Sequence, residues 1–164
     1  MQFVIKLLAD GLMLPIALLA GYALLVRVPK KDRYDRYTRI LMAGVTSYLV
    51  AKYLGAVWQP ETLRPFELSG QIAGAAYLNN PGFPSDHTLF ASFLTLAVWY
   101  GTRLKWLTIL LGVLTVTVAI GRVLALVHTP IDVIGGMIIG VLGAVWYIAY
   151  GKIFSQKLVK NTNR

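Results

Sequence analysis

The side chains best suited to chemistry in this chain are its two histidines. His87 ends the sequence Pro-Ser-Asp-His at 84–87, and His128 begins the sequence His-Thr-Pro-Ile-Asp at 128–132. Near neutral pH, imidazole serves as a nucleophile or as a general acid and base. The two histidines are therefore the first candidates for catalysis, and each lies where an apolar run begins.

Three basic residues lie close to the histidine blocks along the chain. Lys52 interrupts an apolar run, Arg64 precedes a proline in a loop, and Arg122 ends the apolar run before His128. A planar guanidinium matches two phosphate oxygens, and a charge within a membrane segment indicates a functional site by default. The pattern predicts phosphoryl chemistry on a lipid. Two alternatives stay open, that the arginines bind lipid headgroups and that Lys52 extends to the membrane interface.

Both histidine blocks also have the pattern of a helix start. Ser85 suits an N-cap with Asp86 in the first turn, and Thr129 suits a second N-cap with Asp132 at the third helical position. The free N–H groups of a helix start favour a bound phosphate. Asp132 is then either a helix cap alone or also an acceptor for Nδ1–H of His128, which leaves Nε2 free to attack.

The composition indicates an integral membrane protein, because 57% of the residues are hydrophobic and 14% are charged. A bilayer core of about 30 Å requires roughly 20 helical residues. Apolar runs of about that length lie at 11–28, 39–58, 106–122 and 131–150, with a shorter one at 86–102. The sequence predicts an all-α, polytopic membrane helix bundle of about five transmembrane helices. We expect a single domain over 1–164, with a short interfacial helix at 2–9.

The basic residues predict the orientation, since cytoplasmic loops are rich in lysine and arginine. The segments expected on the cytoplasmic side are 27–39, 102–105 and 152–164, so that the C-terminus is cytoplasmic. The loops at 60–84 and 124–130, which carry the histidine blocks, then face outward. The basic segment that follows the first apolar run also indicates a retained anchor rather than a cleaved signal.

Several other classes of function are disfavoured. The net charge is +9, but no aromatic residues interleave with the charge, so nucleic acid is not an expected partner. The chain has no cysteine, and a zinc site built from the histidines and aspartates would be opposed by the nearby cations. We expect neither a metal nor another cofactor. The patterns leave the oligomeric state open.

Two further patterns predict structure rather than function. Gly135, Gly136, Gly140 and Gly143 predict a close-packing helix face. Residues 69–79 are weakly amphipathic and predict a short helix over the bundle. Three acidic residues without evident partners are given no role: Asp10, Glu61 and Glu67.

In this order, the blocks resemble the signature of the type 2 phosphatidic acid phosphatase superfamily. That signature is a lysine before Arg-Pro, then Pro-Ser-Gly-His, then Ser-Arg followed by histidine and aspartate. Arg122, His128 and Asp132 keep the spacing of the third block. The chain departs from the signature in three ways: a longer segment after Lys52, Asp86 in place of the glycine, and Gly121 in place of the serine. Pro-Ser-Asp-His in a short chain resembles the bacterial undecaprenyl diphosphate phosphatases.

The resemblance implies a mechanism and a location. His128, oriented by Asp132, would form a phosphohistidine, and His87 would protonate the leaving lipid phosphate and later activate water. Lys52, Arg64, Arg122 and Ser85 would hold the phosphate oxygens without a metal. The expected location is the bacterial cytoplasmic (inner) membrane, with the site facing the periplasm or cell exterior.

The implied substrate is undecaprenyl diphosphate, but composition does not select this lipid. Phosphatidic acid, phosphatidylglycerol phosphate and lipid A phosphates carry similar charge. A phosphotransferase, in which an acceptor hydroxyl replaces water, is a further alternative. From a different class, a non-catalytic lipid-phosphate binding or transport protein is disfavoured, because the motif charges gather at one face and no repeat is visible.

Overall fold

The computed structural model describes residues 2–60, 63–80 and 82–148, and these residues form helices and loops without β-strands. The α-helices are α1 (Gln2–Lys6), α2 (Met13–Arg27), α3 (Arg33–Val57), α4 (Pro65–Ser69), α5 (Asp86–Thr102), α6 (Lys105–Leu124) and α7 (Pro130–Leu142). A π-helical turn at Leu7–Gly11 joins α1 to α2, and a 3-10 turn at Lys30–Asp32 precedes α3. The predicted all-α class is confirmed.

Within the described ranges, four helical stretches are long and apolar enough to cross a membrane. They are Gln2–Arg27, Lys30–Val57, Lys105–Leu124 and Pro130–Ile148. Helix α5 has 17 residues, or about 25 Å at the usual rise, and is therefore shorter than a bilayer core. The sequence already indicated that this segment would be short.

Helix α5 lies at the centre of the bundle and packs against α2, α3, α6 and α7. Small and branched side chains, including Ala91, Ala97 and Val98, are fully buried along it. Because partners surround α5 on several sides, its first turn lies among the ends of the neighbouring helices. That first turn carries His87.

The predicted close-packing face of α7 is confirmed. A Cβ atom at Gly136 would lie 2.5 Å from the carbonyl oxygen of Ser85, and one at Gly140 would lie 2.6 Å from that of Leu89. These glycines let the backbones of α5 and α7 approach closely. The start of α7, which carries Asp132, is thereby held beside the start of α5.

Two expectations about local structure are wrong. Residues 69–79 do not form a helix, because α4 occurs earlier, at Pro65–Ser69, and ends at Gly70 in a left-handed conformation (φ 65°). The predicted N-terminal helix is not separate from the helix that follows it, and its location at the membrane interface stays a prediction. The π-helical turn carries the helix through Asp10 and Gly11, where a break was expected, so Gln2–Arg27 is one helical stretch.

Contacts between α3 and α5 identify the two ends of the bundle. At one end, Arg36 on α3 donates to the carbonyl oxygen of Gly101 at the end of α5 (2.8 Å). At the other end, Lys52 of α3 lies 3.4 Å from Asp86 at the start of α5. The side of the membrane that each end faces stays a prediction, and the basic segment at 152–164 lies outside the described residues.

Candidate active site

A cavity of about 300 Å³ opens between the starts of α5 and α7, the end of α6 and the loop before α5. It contains both histidines and two of the predicted phosphate ligands. The lining residues are Arg64, Ala76, Tyr77, Leu78, Asn80, Gly82, Pro84, Asp86, His87, Arg122 and His128. The structure therefore brings together blocks that are far apart in the sequence.

His128 and Asp132 form the predicted pair at the start of α7. Nδ1 of His128 lies 3.4 Å from Oδ2 of Asp132, somewhat beyond usual hydrogen-bond length. The same oxygen accepts from the backbone N–H of Thr129 (2.8 Å), whose hydroxyl accepts in turn from the N–H of Asp132. Asp132 thus both completes a capping box and faces the histidine, so the two readings from sequence are compatible.

The surroundings of His128 favour its neutral form. The side chain is almost completely buried, and burial lowers the pKa of His128 below its ordinary value, although its interaction with Asp132 acts in the opposite direction. Neutral imidazole is the form with a free electron pair, which is what a nucleophile requires. The pair can therefore present an unprotonated Nε2 to the cavity.

The Pro-Ser-Asp-His block holds His87 at the first turn of α5, where it lines the cavity. Ser85 occupies the N-cap position, and its N–H donates to the carbonyl oxygen of Asp132 (3.0 Å), which ties α5 to α7. The expected side-chain cap is absent, since the buried Oγ of Ser85 makes no hydrogen bond with the described residues. A phosphate contact from this hydroxyl stays a prediction.

Arg122 lies at the end of α6 and is 2% exposed. Its Nη1 donates to Oδ1 of Asp10 at 2.6 Å, and its buried Nε has no partner among residues 2–60, 63–80 and 82–148. A buried guanidinium with unused donor capacity is suited to a bound anion. The structure thus places Arg122 in the cavity with both histidines, and its contact with phosphate stays a prediction.

Arg64 also lines the cavity, but backbone oxygens take up much of its guanidinium. Nη1 donates to the carbonyl oxygen of Val127, and Nη2 donates to those of Leu78 (3.2 Å) and Asn80 (3.1 Å). Arg64 therefore joins the outer loop to the segment before His128. Its contact with phosphate stays a prediction beside this structural role.

Lys52 is not among the described residues that line the cavity. Its ammonium lies 3.4 Å from Asp86, and both side chains are 47% exposed. Asp86 does line the cavity, so the ion pair stands at its margin. The structure gives Asp86 a partner that the sequence did not suggest, whereas contact of Lys52 with phosphate stays a prediction.

An apolar groove of about 500 Å³ lies between α3 and α5. It is lined by Tyr37, Ile40, Leu41, Gly44, Val45, Tyr48, Leu49, Leu89, Phe90 and Phe93. The ammonium of Lys52 lies 5.3 Å from the ring of Tyr48, so one end of the groove adjoins the Lys52–Asp86 pair. The groove thus begins at the margin of the polar cavity.

Asp10 and Glu67 were given no partners from sequence, and that is wrong for both. Asp10 contacts Arg122 (2.6 Å) and lies 3.6 Å from Nε2 of His87, and Glu67 accepts from the backbone N–H of Arg64 (2.6 Å). The signal for Asp10 was present, because a carboxylate within an apolar stretch is as costly as a lysine there. The third acidic residue, Glu61, lies outside the described residues.

Comparison with known proteins identifies the family of this chain. Residues 36–154 match the PAP2 superfamily. "Putative undecaprenyl-diphosphatase YbjG" of Escherichia coli (strain K12) is 32% identical over 125 residues, which cover 72% of this chain and 61% of that protein. The chain thus spans less than two thirds of that curated relative. No solved structure is significantly similar. Because most of its length is matched, the chain belongs to the PAP2 superfamily, and its several helices suited to crossing a bilayer make it a multi-pass membrane protein.

Proposed function

We propose that this chain is a lipid phosphatase that removes the terminal phosphate of a lipid diphosphate, namely undecaprenyl diphosphate, and releases undecaprenyl phosphate. The reaction would take place at the outer face of the bacterial cytoplasmic membrane. The observation that carries the proposal is the buried His128, paired with Asp132, in one cavity with His87 and Arg122. The name of the similar Escherichia coli protein supports the choice of lipid.

The first chemical step would transfer the phosphoryl group to the enzyme. Nε2 of His128 attacks the terminal phosphorus, and the bond from that phosphorus to the bridging oxygen breaks. The electron pair of that bond stays on the bridging oxygen, which His87 protonates as the lipid monophosphate leaves. Asp132 stabilises the positive charge that develops on the attacking imidazole.

The second step would return the enzyme to its starting state. His87 accepts a proton from water, whose oxygen attacks the phosphohistidine phosphorus, and the P–N bond breaks to release inorganic phosphate. Through both steps, cationic side chains balance the charge on the phosphoryl oxygens. Arg122 is placed for this role in the cavity, and Arg64, Lys52 and Ser85 are the further candidates.

The apolar groove between α3 and α5 would take the hydrocarbon chain next to the diphosphate. Its position beside the Lys52–Asp86 pair supports this, because a lipid has its polar and apolar parts joined end to end. A Cβ atom at Gly44 would lie 3.0 Å from the ring of Phe93, so Gly44→Leu should fill the groove. The variant should lose activity on long-chain lipid diphosphates and keep it on a water-soluble aryl phosphate. Equal activity of variant and wild type on the long chain would contradict this assignment.

Phosphate release by the purified protein in detergent tests the function. Undecaprenyl diphosphate, phosphatidic acid and phosphatidylglycerol phosphate would be compared in the presence of EDTA, with His128→Ala as the blank. We expect release from the diphosphate to exceed that from the other lipids and to vanish in the variant. Thermal unfolding would verify that the variant is folded. Preference for another lipid would replace the substrate and keep the mechanism. Loss of release in EDTA would contradict the metal-free mechanism.

A further inference from the structure

The carboxylate of Asp10 connects three parts of the cavity wall. Its Oδ1 accepts from Nη1 of Arg122 at 2.6 Å and lies 3.6 Å from Nε2 of His87, and its Oδ2 accepts from the N–H of Ala76 at 2.8 Å. Those three partners line the cavity, whereas Asp10 is not among the described lining residues. Asp10 therefore contacts the wall of the site from behind, where it does not occupy the space for a phosphate.

A local feature of the helix delivers Asp10 to this position. The π-helical turn at Leu7–Gly11 packs against α6, and Ala9 within it is fully buried. A Cβ atom at Gly121 would lie 2.7 Å from the backbone nitrogen of Ala9, so a larger residue would push the turn away. Gly121 stands where the superfamily signature has serine. The chain thus lacks that hydroxyl and has a carboxylate beside Arg122 instead.

The contact with Asp10 matters because Arg122 is a buried charge. Its guanidinium is 2% exposed, and a buried charge is strongly destabilising unless an opposite charge or hydrogen bonds compensate for it. Asp10 supplies the opposite charge and fixes Nη1, while Nε stays without a partner among the described residues. The guanidinium is thereby held in one position and still has donors for a phosphate oxygen.

His87 receives from Asp10 what His128 receives from Asp132, a carboxylate near one ring nitrogen. Four charged or titratable groups face His87. They are Asp10 from the π-helical turn, Arg122 from α6, His128 from the loop before α7, and Asp86 from α5 itself. Burial of the ring and the charge of Arg122 oppose a proton on the imidazole, and Asp10 favours one. A general acid must carry that proton when the leaving oxygen needs it.

We propose that Asp10 is a positioning residue of the phosphatase site, which fixes Arg122 for phosphate binding and keeps His87 oriented as the general acid. Gly121 is the residue that permits this arrangement. The inference rests on the proposed function and extends it to the N-terminal helical stretch, which the family match at residues 36–154 does not cover.

Comparison of two leaving groups tests the role in acid catalysis. Asp10→Asn should lower kcat on undecaprenyl diphosphate by tenfold or more, as expected for a weakened general acid, and should raise KM because Arg122 is no longer held in place. On p-nitrophenyl phosphate, whose leaving group needs no proton, the loss should be clearly smaller. The matched control is Asp35→Asn, which removes the carboxylate that pairs with Arg39 at the end of α3 far from the cavity. This variant should keep full activity. An equal loss on both substrates would overturn the role of Asp10 toward His87, and no loss on either substrate would overturn the whole proposal.

A glycine pair tests the structural premise. Gly121→Ser should reproduce the substrate-dependent loss, because the added side chain displaces the π-helical turn. Gly112→Ala on the same helix has open space around its Cβ atom and should behave as wild type. Wild-type kinetics for Gly121→Ser would overturn the premise.

A thermal-unfolding cycle of Asp10→Asn, Arg122→Gln and the double variant gives a readout that needs no turnover. Either single change leaves one partner unpaired in a buried place, so the double variant should lose less stability than the sum of the singles. If the wild type hydrolyses lipid diphosphate but the losses of stability are additive, the proposed coupling between Asp10 and Arg122 is overturned and the proposed function is not. Absence of hydrolysis by the wild type would instead refute the proposed function, and the positioning role with it.

Discussion

At the scale of single residues, Asp132 makes one contact that a helix cap requires and a second that it does not. Its Oδ2 accepts from the N–H of Thr129 at 2.8 Å and lies 3.4 Å from Nδ1 of His128. The first contact stabilises the start of α7, and the second would orient the imidazole in the proposed mechanism. Substitution by asparagine separates the two, because an amide oxygen still accepts from Thr129 but carries no charge.

We expect Asp132→Asn to fold and to lose roughly 10³-fold in kcat, since the imidazole would lose the carboxylate that fixes its tautomer and stabilises its positive charge. Thermal unfolding and phosphate release of the same preparation would measure the two effects. Unchanged turnover would mean that Asp132 serves only as a helix cap.

The burial of His128 predicts the acid side of the pH profile. The nucleophile acts as the free base, so activity falls as the pH decreases through the pKa of His128. Because burial lowers that pKa, the acid limb of kcat/KM should lie below the ordinary histidine value of about 6.5. Rate measurements across the acid range, with the titration of the substrate phosphate followed separately by phosphorus NMR, check this. An acid limb above the ordinary value that belongs to the enzyme would contradict it.

At the scale of elements, the contact between α5 and α7 sets the distance between the two histidine blocks. Gly136 lies one turn after Asp132, and a Cβ atom there would meet the carbonyl oxygen of Ser85 at 2.5 Å. Backbone cannot yield as a flexible side chain does, so any added atom must separate the helices. The packing of α7 is thus coupled to the geometry of the site.

Gly136→Ala should therefore destabilise the protein by about 1–3 kcal/mol through overpacking and should also lower turnover. Gly112→Ala is the matched control, because nothing lies within 4 Å of its added Cβ atom and alanine favours a helix over glycine. Thermal unfolding in detergent and phosphate release would be measured for both. Equal behaviour of the two variants would show that the close approach is not required.

The elements themselves were largely predictable from sequence, and the exceptions have physical causes. Length and apolarity predicted the membrane helices, and the glycines of α7 predicted its close-packing face. The π-helical turn was not predicted, because a carboxylate and a glycine within an apolar run usually mark a helix end. Its stability here depends on packing against Gly121, which is distant in sequence.

At the scale of the whole molecule, the spacing of the motifs predicted that His87, His128, Asp132 and Arg122 would come together, and they do. The spacing did not reveal the partners supplied by the tertiary fold. Asp10 and Arg122 are separated by most of the chain. The oxygens around Arg64 are backbone carbonyls, and their positions cannot be inferred from the pattern of side chains. The sequence thus predicted which candidate residues lie together, whereas it did not predict the contacts around them.

The position of the basic segments at one end of the bundle predicts which end faces the cell exterior. The chain has no cysteine, so single cysteines report their surroundings without background. Gln71, exposed in the loop near the cavity, and Lys31, exposed at the basic end, form a matched pair. Because basic segments remain in the cytoplasm, a membrane-impermeant maleimide should label Gln71→Cys in intact cells and label Lys31→Cys only after permeabilisation. The reverse pattern would place the cavity on the cytoplasmic side and would exclude hydrolysis at the outer face.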